Sequence, residues 1–216
     1  DEGFVSFHDF VLASNGGAID MDGNGDGVSL QYGQISSEGG DIDITGDGVF
    51  LGVYLQLTEI SSGDGDIEID GSASLVQDLT YPFGVALAGS SLVSTGGDIS
   101  VSGDAVGGTG VLFWSVYDSG SGSNIYSSII TGSGAITLDS TGLRGLGLGG
   151  ITLATDSGDI HLSGTALDAY ATAAVFLGSG GVTTNGGDIT ITGTGGATGV
   201  WLYEGDLISN GGDISV

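Results

Sequence analysis

The sequence predicts an all-β fold: a parallel β-helix with three short strands per coil and about eight coils. Three observations predict it. A Gly-Gly-Asp-Ile phrase recurs along the chain. Apolar and polar residues alternate in short runs. Glycine is abundant and proline almost absent, with 46 Gly and 1 Pro in 216 residues. The phrase is fullest at Asn185-Gly186-Gly187-Asp188-Ile189-Thr190-Ile191-Thr192-Gly193. It returns at 38–46 and 95–103, and more loosely at 64–71, 157–164 and 210–216. Repetition on this scale is the mark of stacked units, each unable to bury its apolar face alone.

The first strand of each unit is Asp-Ile-x-Ile. Its anchors are Ile19, Ile42, Ile67, Ile99, Ile136, Ile160, Ile189 and Ile214, spaced 23 to 37 residues apart. The shorter spacings define the basic unit, and the longer ones carry insertions near 72–83 and 115–128. Pairs such as Ile42/Ile44 and Ile189/Ile191 sit two apart, so both members face one side of a strand. The second strand is Gly-Val-x-Leu, as in Gly52-Val53-Tyr54-Leu55 and Gly199-Val200-Trp201-Leu202. The third precedes the next turn, as in Glu59-Ile60-Ser61-Ser62 and Ser91-Leu92-Val93-Ser94. Stacked coils would place these β-branched residues in inward columns. The Gly pairs fall at corners, where positive φ is expected and a Cβ would clash. Helical periodicity is absent. A β-sandwich would need two-residue hairpin turns and would not demand the same phrase in every third strand.

Residues 1–216 read as one solenoid section. It begins and ends mid-coil without atypical capping units, which leads to the expectation of a longer chain or of subunits stacked head to tail.

Charge narrows the function classes. There are 27 acids and one base, Arg144, for a formal net charge of −26. Such a surface cannot neutralise phosphates, so nucleic acid is excluded as a partner. It also argues against acidic polysaccharides as substrates and against anionic membranes, and it favours solubility and cation accumulation. With no Cys, there is neither a disulfide framework nor a thiolate site. No apolar run is long enough to span a bilayer, and residues 1–3 do not open a signal peptide.

The Gly-Gly-Asp-Ile-x-Ile-x-Gly phrase, followed by Gly-Val-x-Leu and a third short strand, resembles the repeats of filamentous haemagglutinin-type adhesins, which are large bacterial surface exoproteins. The resemblance is to a repeat class and covers nearly the whole chain. It implies a right-handed β-helix, an extracellular or cell-surface location, export across the outer membrane, and adhesion or fibre building. The units here are longer and more variable than the tightest repeats of that class, and no secretion-domain signature is found.

Candidate sites follow from the outward positions. Asp41, Asp66, Asp98, Asp159, Asp188 and Asp213 precede first strands. They read as turn residues accepting backbone N–H groups, or as a Ca²⁺-bridged carboxylate ladder. Replacement by Ala18 and Ala135 favours the turn role. Asp20, Asp22, Asn24 and Asp26 alternate along the chain with Gly23 and Gly25 interleaved, and a tight loop would gather their oxygens around a hard cation, making this the candidate Ca²⁺ site. The Glu that would complete an EF-hand is missing. No cofactor is required by anything else in the chain. Outward Asp20, Asp43 and Glu68 are the place to look for a catalytic acid pair, although a solvated face is the plainer reading. His161 shares an outward column with Ser100 and Thr190, and His8 is isolated.

The outward slot of the second strand holds Tyr54, Ala86, Leu112, Phe176 and Trp201. Of these, Tyr54, Leu112, Phe176 and Trp201 are the candidate partner-binding residues, because an apolar stripe on one face marks an interaction site. The competing reading is that the two insertions, which bring Tyr81, Pro82, Phe83, Tyr117 and Tyr126, fold back over it. The function expected is a non-enzymatic, extracellular structural or adhesive solenoid. Its partners would be copies of itself or adjoining coils end to end, or a carbohydrate or cell-surface ligand. The rival is a carbohydrate-active β-helix enzyme or carbohydrate-binding module. An ice-binding or S-layer-like module is weaker, since Asp43, Glu68 and His161 interrupt the Thr/Ser column.

Overall fold

Alternating apolar residues do form strands that stack in parallel, and no helix occurs among the described residues. A computed structural model describes residues 3–75 and 82–216. Two long parallel sheets, of 14 and 8 strands, run the length of the molecule, giving a solenoid-like all-β architecture. A two-stranded antiparallel hairpin, Val116–Asp118 with Ser123–Ile125, stands apart from them.

Each pass of the chain, here a rung, crosses three strand columns in turn. The first column contains Ile19–Gly25, Ile42–Gly48, Ile67–Ala73, Ile160–Ala166 and Ile189–Gly195. The second contains Val5–His8, Val28–Gln31, Leu51–Gln56, Phe83–Ala88, Val175–Gly178 and Val200–Tyr203. Two continuous strands, Ile99–Trp114 and Ile136–Gly149, serve both columns. The third column runs from Val11–Ala13 to Asp206–Ser209 and forms the smaller sheet.

Registers link equivalent residues. Ile42 lies beside Ile67, Ile67 beside Ile99, and Ile99 beside Ile136. The three columns turn their apolar residues to one shared core. Ile44, Val53, Leu55, Ile60, Ile69, Val85, Leu87, Leu92 and Val101 are fully buried. Burying each such side chain contributes about 1.5–3 kcal/mol relative to exposure.

The first strand is longer than its four-residue signature. It runs seven residues because Gly23, Gly46 and Gly71 continue the ladder instead of ending it. A Cβ on Gly46 would lie 2.1 Å from the carbonyl of Gly52, where the chain doubles back against itself. Both insertions are therefore narrower than expected. Ser72 still pairs with Asp47 and Asp104, inside the ladder. Ser127 and Ser128 belong to the third column, with Ser127 fully buried. Tyr81 lies outside the described residues.

The Gly pairs divide the two roles expected of them. Positive φ falls on the first Gly of three pairs, Gly16, Gly39 and Gly211, while Gly97, Gly134, Gly158 and Gly187 have ordinary φ and avoid a collision. A Cβ on any of them would meet the carbonyl oxygen of the preceding Gly in the ladder at 2.2, 2.0, 1.9 and 2.0 Å respectively. Positive φ also recurs at the corner between second and third strands, mostly in other residues: Asp9, Tyr32, Leu57, Gly89, Gly150, Ser179 and Glu204.

Candidate functional site

The Asp ladder is built by the stacking. Asp41 accepts the backbone N–H of Asp66 at 3.0 Å, and Asp66 that of Asp98 at 2.8 Å. Asp98 accepts from Ala135 at 2.7 Å, Asp159 from Asp188 at 2.8 Å, and Asp188 from Asp213 at 2.7 Å. Each carboxylate thus bonds the same position one rung on, so the turn Asp acts between rungs. Ala135 can donate its N–H to Asp98 but offers no carboxylate to Asp159.

A buried hydroxyl column, not recognised as such in the sequence, supports the same corner from inside. Thr184 Oγ1 accepts the N–H of Gly187 at 3.0 Å and donates to the carbonyl of Gly158 at 3.0 Å. Thr155 repeats this with Gly158 and Gly134, and Ser94 with Gly97 and Gly65. The signal was the Ser or Thr three residues before each second Gly, visible at Ser37, Ser62, Ser94, Thr155 and Thr184.

The acidic run at 20–26 is not the tight loop expected of a cation site. Asp20, Asp22 and Asn24 project from one exposed face of an extended strand, and Asn24 donates to Asp22 at 2.8 Å. Alternate residues on a strand stand about 7 Å apart, whereas Ca²⁺ draws its oxygens to about 2.3–2.6 Å. Asp26 lies beyond the strand in an isolated bridge with Gly48. Among the described residues no group of three or more His, Asp or Glu side chains is placed to hold a metal ion.

Asp20, Asp43 and Glu68 lie side by side in register on an exposed face. Partial burial, then the charges of Asp70, Asp43 and Asp66, raise the Glu68 pKa. His161 is near Asp159 at 4.0 Å and His8 is 3.0 Å from Asp9, both well exposed.

The outward second-strand slot forms one continuous column. Ser6, Ser29, Tyr54, Ala86, Leu112, Gly147, Phe176 and Trp201 pair in succession. Tyr54, Leu112, Phe176 and Trp201 thus fall in the same column. Gly147 is the member the sequence reading passed over, although Gly145-Leu146-Gly147-Leu148 fits the Gly-Val-x-Leu pattern.

Aromatic rings gather at two places along this column. Tyr54 stacks on Trp114 at 6.1 Å, and Phe83 meets Trp114 at 5.9 Å. Ala86 is fully buried at this cluster, and burial raises the Tyr54 pKa, with a smaller contribution from Tyr32. Further on, Phe176 meets Trp201 edge-on at 5.3 Å, and Trp201 meets Tyr203 at 6.3 Å. Between the clusters lies a cavity of about 480 Å³, lined by Phe83, Leu112, Arg144, Gly147, Phe176 and Trp201 among others. Gly147 makes the recess, and a Cβ there would meet the Leu112 Cδ1 methyl at 2.6 Å.

The hairpin insertion does not line this cavity. Ile125 packs by Gly89, and the Tyr126 ring lies against Gly150, both at the corner between second and third strands. Asp118 closes the hairpin tip by accepting the N–H groups of Gly120 and Ser121. Bonds from the Ser121 hydroxyl and these N–H groups lower its pKa. Compared with known protein families, curated proteins and solved structures, the chain finds no significant match.

Proposed function

We propose that the chain is a non-enzymatic, extracellular section of a bacterial surface solenoid. In this reading it is a right-handed parallel β-helix of about eight coils that displays outward side chains to a carbohydrate or cell-surface partner. The observation that carries this is the contrast between columns. Inward positions keep Ile, Val and Leu from rung to rung, and the Asp and hydroxyl ladders repeat at the corner. The outward second-strand column instead changes from Ser29 through Tyr54 and Gly147 to Trp201. The resemblance to adhesin repeats points the same way.

The test is retention. Beads carrying the chain should adhere to cell or glycan surfaces, and Phe176→Ser with Trp201→Ser should abolish adhesion while leaving melting temperature within a few degrees. Cleavage of a polysaccharide that is lost on Asp43→Asn with Glu68→Gln would instead establish the enzyme reading.

A further inference from the structure

We infer that the corner between the second and third strand columns is a recognition groove, and that its two open cavities bind a protonated amino sugar. The inference rests on the display reading above, but places recognition at a corner instead of on the aromatic column. The backbone is its foundation. At this corner the chain takes positive φ, which strains any residue with a Cβ and suits Gly. Among the described residues six non-Gly positions adopt it, and five stand here: Asp9, Tyr32, Leu57, Ser179 and Glu204, at φ of 48 to 55°. Bonds between rungs hold the turn. The N–H groups of Tyr32, Leu57 and Ser179 donate to the carbonyls of Gln56, Ala88 and Tyr203 at 2.9, 2.9 and 3.0 Å. Gly takes the corner at Gly89 and Gly150, the two places where the hairpin segment packs, with Ile125 by Gly89 and Tyr126 against Gly150. Side chains are thus omitted where the chain covers its own corner and kept, against strain, where the corner is open. Backbone strain of this kind gathers at ligand sites. Asp9, Tyr32 and Leu57 line a cavity of about 490 Å³ before the hairpin, and Ser179 and Glu204 one of about 410 Å³ after it.

Both cavities repeat one set of groups. Each has a Tyr ring, Tyr32 or Tyr126, and two acids, Asp9 with Glu59 or Glu204 with Asp206. Asp9 already lies 3.0 Å from His8 Nδ1, which leaves Glu59 to meet a ligand, and Gln34 steadies it by donating to Oε2 at 3.2 Å. An ammonium group gains from a Tyr face and from a carboxylate together, and the field of a −26 chain concentrates cations in such a recess. The remaining polar wall is amide and hydroxyl, from Gln34 in one cavity and from Thr152 and Ser179 in the other. Sugar hydroxyls can pair with these groups, whereas a lysine side chain brings only its ammonium. Both volumes fall in the usual range of small-ligand sites.

The experiment is calorimetric titration of the full chain with the glucosamine tetrasaccharide, its fully N-acetylated counterpart and tetralysine. Physiological salt and a mildly acidic buffer keep the sugar amines protonated and screen unspecific attraction. The amino sugar should bind at least tenfold more tightly than the acetylated sugar, and more tightly than tetralysine. Tyr32→Gly with Glu204→Gly should weaken it tenfold or more while the melting temperature stays level or rises, because Gly relieves the corner strain. Glu59→Gln with Asp206→Asn, close in shape to the parent, should weaken it as far. Asp43→Asn with Glu68→Gln removes the same charge from another face and should leave binding unchanged. The inference is overturned if the acetylated sugar or tetralysine binds as tightly, the latter pointing to a basic peptide. It is overturned equally if the Asp43/Glu68 variant loses as much as the corner variants, or if the corner variants bind as the parent does. Surface adhesion without amino-sugar binding would remove this inference alone. Amino-sugar binding in a chain that adheres to nothing would remove the adhesive reading and leave the groove.

Discussion

Gly186 and Gly187 are neighbours under opposite constraints. A Cβ on Gly187 would stand 2.0 Å from the carbonyl oxygen of Gly158, whereas one on Gly186 would meet nothing within 4 Å. Gly187→Ala should cost about 2–3 kcal/mol, since backbone on both sides must shift. Gly186→Ala should be neutral or stabilising by about 0.5 kcal/mol, through a stiffer unfolded chain. Chemical denaturation of both variants checks this pair, and equal losses would mean that the rungs do not approach as described. The Asp ladder makes a second residue-scale prediction. Asp98→Ala removes the acceptor for Ala135 N–H and should cost about 0.5–1 kcal/mol at this exposed site. Asp98→Asn keeps an acceptor oxygen and should lose less. Because these carboxylates are satisfied by N–H groups, a chelator should leave the melting temperature unchanged.

At the scale of the element, much was legible because each strand repeats. Alternation placed Ile42/Ile44 and Ile189/Ile191 inward, and both pairs are buried. The column of Tyr54, Leu112, Phe176 and Trp201 was legible for the same reason: one spacing rule aligns every rung. Strand length was not, because Gly46 and Gly71 look like turn residues, yet their backbones stay in the ladder. Nor was the cavity, which depends on a side chain that Gly147 lacks and on Arg144 from the same strand. The loop expected at 20–26 failed because Gly23 serves close packing within a strand. Partial burial, then the charges of Asp70, Asp43 and Asp66, give Glu68 its shifted pKa. With the folded pKa raised, the folded state holds the proton more tightly than the unfolded state, so this group's contribution improves as pH falls through the acid range. Glu68→Gln should remove that dependence through the acid range and raise stability at pH 7 by less than about 1 kcal/mol. Asp118 has the opposite sign: its lowered pKa gives a contribution lost as pH falls through the folded value.

At the scale of the molecule, charge and stacking oppose each other. Eighteen of the 27 acids lie in residues 1–110, where Asp20, Asp43 and Glu68 stand side by side. Raising salt from about 0.01 M to 1 M shortens the screening length from about 30 Å to 3 Å. The melting temperature should therefore rise with sodium chloride, and a fall would mean that repulsion between rungs is not the dominant electrostatic term. Retention of equivalent residues side by side is what stacks the Gly-Gly-Asp-type phrases into parallel ladders and aligns the outward second-strand column.

That geometry is open to a direct measurement, because the chain has no cysteine of its own. His161 pairs with Thr190 one rung on, and with Ser100 only through the intervening Thr137. A reagent that fluoresces only when it bridges two nearby thiols should label His161→Cys/Thr190→Cys within one molecule. It should leave His161→Cys/Ser100→Cys, about 10 Å apart, unlabelled. Equal labelling of both pairs, or bridging of the second alone, would contradict the in-register stacking from which the aromatic face and its cavity follow.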